Sequence, residues 1–153
     1  MKFLAIAAAM LAALTGCSFL QQVIPAAPRA HAVVAPPPPD PRLVMIEDRK
    51  DDLLKRLAIC ESGDWGPSEK RIYGGNGVFH GRFQFMIRTV QGFVLQIDGE
   101  ALTIRQATDL AHDWERASSL AKYVIFELDG ITHWPLCNRK LGLAAEVRAI
   151  KAL

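Results

Sequence analysis

The chain has 153 residues, 18 basic against 16 acidic, for a net charge of +2, and half of its residues are hydrophobic. So small a positive excess, with no arginine- and aromatic-rich stripe, argues against a nucleic-acid partner. With no P-loop or dinucleotide glycine pattern and no His/Cys cluster at zinc spacing, no cofactor and no metal are expected, and the length suits one domain plus accessories.

Residues 1–16 read as a targeting segment. Lys2 supplies a short positive start, and Phe3 to Leu14 is an apolar run too short to span a bilayer stably. The run ends in Leu14-Thr15-Gly16-Cys17, which resembles the lipobox of bacterial lipoproteins and marks Cys17 for lipidation. An ordinary secretory peptide or a buried apolar helix are the alternatives. Acyl chains on Cys17 would anchor the chain to a membrane, at about 0.8 kcal/mol per buried methylene. In a Gram-negative cell, Ser18 resembles an outer-membrane address, with the chain facing the periplasm.

Residues 17–41 form the lipidated cysteine and a linker rich in proline and alanine. Seven of the nine prolines lie between Pro25 and Pro41. Proline removes a backbone donor and favours extended polyproline II, so about twenty-four residues would reach on the order of 75 Å. The segment is read as a tether.

The folded domain is expected over residues 42–153. Leu43 to Ile59 predicts a helix, with Ile46, Leu53, Leu54, Leu57 and Ala58 at three- and four-residue steps. Asp51–Lys55 and Asp52–Arg56 are spaced as i,i+4 pairs. Glu61 then falls at or just past the helix C-terminus, where unpaired carbonyls favour a neutral carboxyl over a carboxylate. A polar loop from Asp64 to Lys70 holds Trp65. Tyr73-Gly74-Gly75-Asn76-Gly77 signals a tight hairpin turn, flanked by short strands at 71–73 and 78–80. Gly81 would allow a close approach of backbone or sugar. Phe83 and Phe85 are expected in the core, with Gln84 facing the other way if that segment is extended.

Met86 to Ile97 predicts a second helix, with Phe85, Thr89, Phe93 and Ile97 on one face, ended by Asp98-Gly99. Thr103 to Gln106 fits a capping box. From Thr108 to Leu128 the apolar positions follow one face of a continuous helix, with Gly130 as its C-cap; Trp114 lies on that stripe and His112 at the surface. Ala144 to Leu153 predicts a short amphipathic helix packed on the domain.

Cys60-Glu61-Ser62-Gly63, the Gly75-Asn76-Gly77 turn, the Gly81-x-Phe83-Gln84-Phe85 segment and Trp134-Pro135-x-Cys137-x-x-Lys140-Leu141-Gly142 follow one another in order. Together they resemble the transglycosylase-like domain of the resuscitation-promoting-factor type, over residues 53 to 143. The resemblance implies an α+β, mainly α fold: a lysozyme-like domain with a short β-hairpin and one disulfide. Lipidation of Cys17 would leave Cys60 and Cys137, either as two buried thiols or as a pair. The resemblance implies the pair, closing a loop of about 77 residues worth roughly 4.5 kcal/mol.

It also implies a peptidoglycan-cleaving enzyme, acting on the β-1,4 bond between N-acetylmuramic acid and N-acetylglucosamine with Glu61 as general acid and base. Trp65, Asn76, His80, Gln84 and Trp134 are the expected substrate contacts. Trp134 has the alternative of packing beside the disulfide. A conventional glycosidase needs a second carboxylate, for which Asp64 and Glu69 are the neighbours. A lytic transglycosylase instead uses one acid with the substrate's own N-acetyl group and closes a 1,6-anhydro ring.

The chain departs from the family pattern in four ways, the first being that Cys60-Glu61-Ser62-Gly63-Asp64-Trp65 is one residue shorter than the usual C-E-S-G-G-N-W. Gly74 stands where a threonine is usual, Phe79-His80 replaces a tyrosine pair, and Arg82 replaces a glycine. His80 and Arg82 would either add polar contacts to the glycan or peptide stem, or be solvated. The expected partners are peptidoglycan strands and, through Cys17, a membrane; the expected state is a monomer. The alternative functions are a catalytically inactive lipoprotein that binds the wall and, more weakly, a purely structural one.

Overall fold

The computed structural model describes residues 38–153. The expected signal peptide, Cys17 and nearly all of the linker lie outside the described residues. Asp40 caps the first helix, its side chain accepting a hydrogen bond from the Arg42 amide at 2.9 Å, and Pro41 occupies the first turn, where its missing N–H costs nothing. Helix α1 therefore runs Pro41–Ser62, two residues earlier than the apolar periodicity indicates. It ends at Gly63, whose left-handed φ of 77° lets its amide reach the Ile59 carbonyl at 2.9 Å.

A small antiparallel sheet follows, of strands β1 (Tyr73–Gly74), β2 (Phe79–His80) and β3 (Phe85–Met86) in that order. Tyr73 lies opposite His80, and Phe79 opposite Met86. The turn between β1 and β2 holds Gly75, Asn76 and Gly77 at positive φ, as the Asn-Gly signal requires. The chain continues through α2 (Ile87–Asp98), α3 (Ile104–His112) and α4 (Trp114–Phe126). A 3₁₀ turn (Gly130–His133) leads to α5 (Pro135–Leu141) and α6 (Leu143–Lys151). The domain is thus mainly α, with six helices and three short strands among the described residues.

The core forms where α1 meets α4, α5 and α6. Leu53, Leu54, Leu57 and Ala58 face Ala121, Val124 and Ile125 of α4 and Leu143, Val147 and Ile150 of α6 within one buried cluster. Each fully buried leucine contributes about 2 kcal/mol relative to exposure. Arg56 bridges Asp52 on its own helix and Glu146 on α6, at 2.8 and 2.7 Å. Asp51 does not pair with Lys55; it meets Lys122 on α4.

Cys60 and Cys137 form a disulfide that joins the end of α1 to α5, with Cα atoms 5.9 Å apart. Such bonds persist in oxidising compartments.

Three expectations about the helices are corrected. The segment 108–128 is not one helix: Asp113 leaves helical geometry and caps α4, accepting from the Arg116 amide at 2.8 Å. The α4 C-cap is Glu127, not Gly130. Gly130 opens the 3₁₀ turn instead, where an added Cβ would lie 2.5 Å from Val124. In α2 the buried face is centred on Val90 and Val94, because Phe85 belongs to β3 and the helix starts later.

Candidate functional site

Glu61 occupies the last turn of α1, between the bridged Cys60 and Ser62, whose hydroxyl donates to the Ala58 carbonyl at 3.0 Å. Its side chain is half-buried, and burial raises its pKa above the usual carboxylate range. The free carbonyls at the helix end act in the same direction.

The carboxyl lines a cleft of about 400 Å³ together with Phe79, Gln84, His133, Trp134, Pro135 and Leu136. Walls of that kind offer apolar faces to a ring and one amide to polar substituents. Beyond it, a narrower apolar extension runs between Phe85, Met86 and Phe93.

Two of the expected contact residues join Glu61 there. Trp134 is buried; its indole N–H donates to the Phe83 carbonyl at 2.8 Å and its ring meets Phe85 edge-on at 5.5 Å. It acts mainly as core, with one side forming the cleft wall. Gln84 is not in an extended segment. It takes a left-handed φ of 51°, and its amide NH₂ donates to the Gly81 carbonyl at 2.7 Å. That leaves Oε1 pressed against Gly74, where an added Cβ would sit 1.8 Å from it. A side chain at position 74 would collide with the Gln84 amide.

The other expected contacts lie elsewhere. Trp65 faces a separate hollow of about 430 Å³ between α1 and α4, with Lys55 Nζ 3.8 Å above its ring and Trp114 edge-on at 6.4 Å. Asn76 sits exposed at the hairpin tip. His80 turns toward Tyr73 and His112, at ring-centroid distances of 5.3 and 5.7 Å, and burial lowers its pKa.

His112 is not a surface residue. It is buried beneath β1 and β2 and accepts a long hydrogen bond from the Ile72 amide at 3.4 Å. Burial first, then the positive charges of Arg71, His80 and Arg82, lower its pKa to about 4.

Arg82 is neither a glycan contact nor solvated. It is 2% exposed, with Asp64 as its counter-ion at 3.7 Å. Its Nε and one Nη have no hydrogen-bond partner among the described residues. Gly81 approaches backbone rather than sugar: a Cβ there would meet the Ala111 carbonyl oxygen at 1.7 Å.

No family model, no curated protein and no solved structure matches the chain.

Neither neighbouring acid reaches Glu61's cleft. Asp64 accepts from the Trp65 amide at 2.8 Å, and Glu69 lines a polar hollow with Lys70, Arg71, Asp109 and His112. Glu61 is accordingly the single carboxyl in the cleft wall among the described residues. Four further lining residues, Phe79, His133, Pro135 and Leu136, are not among the contacts expected from the sequence. Pro135 and Leu136 follow Trp134 inside the Trp134–Gly142 motif and His133 directly precedes it, so adjacency to that motif is the signal that points to them.

Proposed function

We propose that the domain cleaves the β-1,4 bond between N-acetylmuramic acid and N-acetylglucosamine in peptidoglycan, with Glu61 as the acid. The observation that carries this reading is the half-buried carboxyl with a raised pKa, set in a sugar-sized cleft. A carboxyl of that kind holds a proton nearer neutral pH, where it can protonate the leaving oxygen as positive charge develops on the ring. The apolar wall of Trp134, Pro135 and Leu136 suits a pyranose face, and the second N–H of the Gln84 amide, beside the one given to Gly81, suits its N-acetyl or hydroxyl oxygens.

The absence of a second carboxyl from the cleft wall, among the described residues, favours the route that leaves a 1,6-anhydro product. In this reading the domain is lysozyme-like, and residues 1–41 export it, anchor it through Cys17 and hold it away from the membrane. Its place is then the cell envelope, at the outer membrane facing the periplasm in a Gram-negative cell.

The test is mass spectrometry of fragments released from purified peptidoglycan by the oxidised full chain, beside Glu61→Gln. Anhydro-muramyl fragments that fall at least 100-fold in the variant are the expected result. Reducing-end fragments would make the enzyme a hydrolase. A folded wild-type chain that binds the wall and releases nothing would make it a binding lipoprotein.

A further inference from the structure

The hairpin of β1 and β2 is a wall of the Glu61 cleft on one side and the cover of His112 on the other. Phe79 of β2 lines the cleft. Gln84, which lines it too, takes its orientation from the hairpin, with Oε1 against Gly74 and its NH₂ on the Gly81 carbonyl. We propose that a proton on His112 releases residues 72–80 and so withdraws this wall from the cleft in acid. The bearing on catalysis rests on the reading of that cleft as the substrate site; the release itself does not.

The bond that ties His112 to the hairpin exists only for the neutral ring. The Ile72 N–H donates to Nδ1 at 3.4 Å. A neutral imidazole accepts at one nitrogen, whereas the imidazolium carries a hydrogen on both and accepts at neither. A proton at Nδ1 therefore sets one N–H against another beneath β1. The ring is also enclosed: it is buried, and Tyr73 and His80 meet it at 4.8 and 5.7 Å.

The new charge would find few partners. Besides burial, Arg71 just before β1, His80 in β2 and Arg82 just beyond it all oppose it. Asp109, one turn back in α3, offsets part of this, but it already pairs with Arg71 at 2.6 Å. Glu69, Lys70 and Asp113 share a polar hollow with His112, and all three are exposed, where water and salt screen them.

The same joint is weakly held. Each of the two strands has two residues. Among the described residues, the buried side-chain nitrogens without a hydrogen-bond partner are His80 Nδ1, Arg82 Nε and one Nη, and His112 Nε2. All belong to the residues where the hairpin meets the end of α3, and Gly81 between two of them touches the Ala111 backbone. Past Arg82 the grip tightens: Phe83 stacks on Trp114 at 5.5 Å, and its carbonyl accepts from the Trp134 indole at 2.8 Å. Local opening therefore ends at Phe83 and leaves Trp134 and Pro135 in place.

Opening returns His112 to water, where its pKa is about 6.5, against about 4 when covered. The covered form is thus fully favoured above the free value and loses that advantage as pH falls toward about 4. Linkage makes the opening equilibrium about 100-fold larger at pH 4 than at pH 7.

The experiment is amide hydrogen exchange of the oxidised full chain at pH 7 and pH 4, corrected for the intrinsic effect of pH, for wild type, His112→Asn and His80→Gln. Asparagine places an acceptor oxygen near the Nδ1 position and takes no proton. Protection over residues 72–80 should fall by about 100-fold in wild type and in His80→Gln, and by less than about threefold in His112→Asn. Protection over residues 53–58 of α1 should hold in all three. Should His112→Asn fail to fold, the ring signals of His112 in wild type decide by NMR: they must titrate with the midpoint of the loss at 72–80, and a separate midpoint overturns the proposal. An equal loss in α1 overturns it as well, since the whole domain would then be opening. So does no loss in wild type, a full loss in His112→Asn, or none in His80→Gln. Fragment release gives the second readout: KM should rise at pH 4 in wild type and not in His112→Asn. A wild type that shows the exchange pattern and releases no fragments at either pH overturns the reading of the cleft, not the release of the hairpin.

Discussion

Reducing the Cys60–Cys137 bond releases a loop of 77 residues from the unfolded chain's constraint. The chain-entropy relation assigns that loop about 15 cal/mol/K, or about 4.5 kcal/mol at 25 °C. Small domains are stable by roughly 5–15 kcal/mol, so the bond supplies a large fraction of the total. With a urea dependence of about 1.5 kcal/mol per molar, the unfolding midpoint should fall by about 3 M. The assay is tryptophan fluorescence against urea, for the oxidised chain, the reduced chain and Cys60→Ser/Cys137→Ser. The reduced chain and the double variant should agree. A fall of less than about 0.7 M, which is about 1 kcal/mol, would refute the reasoning. It would mean that residual structure already restricts the unfolded chain, so that the cross-link removes little of its entropy.

Acid should weaken the domain through His112. Its folded pKa of about 4 lies below the free value of about 6.5, so the unfolded chain binds its proton first. The contribution is complete above the free value and is lost as pH falls from there toward about 4. Urea midpoints between pH 7 and pH 4 should decline more steeply for wild type than for His112→Gln; equal slopes would refute the assignment. Gly81→Ala should cost about 3 kcal/mol or more, since its φ is +72° and the new Cβ would strike the Ala111 carbonyl. Gly77→Ala, also at positive φ but with nothing within 4 Å, should cost about 1 kcal/mol. Thermal unfolding of the two variants checks the contrast, and equal losses would remove the role given to the Ala111 contact.

Much of the architecture was legible because it rests on local rules. Ser62-Gly63 marks where α1 stops, and that places Glu61 in the last turn, where the helix end and burial act together. Gly75-Asn76-Gly77 marks the hairpin through positive φ, and Thr103-x-x-Gln106 forms both bonds of its capping box. The break at Asp113 was hidden because Leu110, Trp114, Ala117 and Ala121 keep helical spacing across it. Asp113 followed by Glu115 was the available cap signal. The burial of His112 was not legible at all, since Ile72, Tyr73 and His80, the residues that meet it, stand far from it in the sequence. The same holds for Trp65: its loop gives no sign that Lys55 and Trp114 will claim its ring. Local chemistry therefore placed Glu61 at the helix end, while the surroundings of His112 and Trp65 depended on contacts between distant segments.

The position of α1 has a consequence for the order in which the fold can be assembled. Its buried face rests on α4, α5 and α6, all from the far half of the chain, and its covalent partner Cys137 lies in α5. A chain made amino end first presents Leu53, Leu54 and Leu57 before α4, α5 and α6 exist to cover them. The leading helix must wait, apolar side outward and with Cys60 reduced, for the trailing helices to arrive. Loss of α6 alone would therefore strip Leu143, Val147 and Ile150 from the face that α1 needs, and leave α1 part-covered even after α4 and α5 have formed.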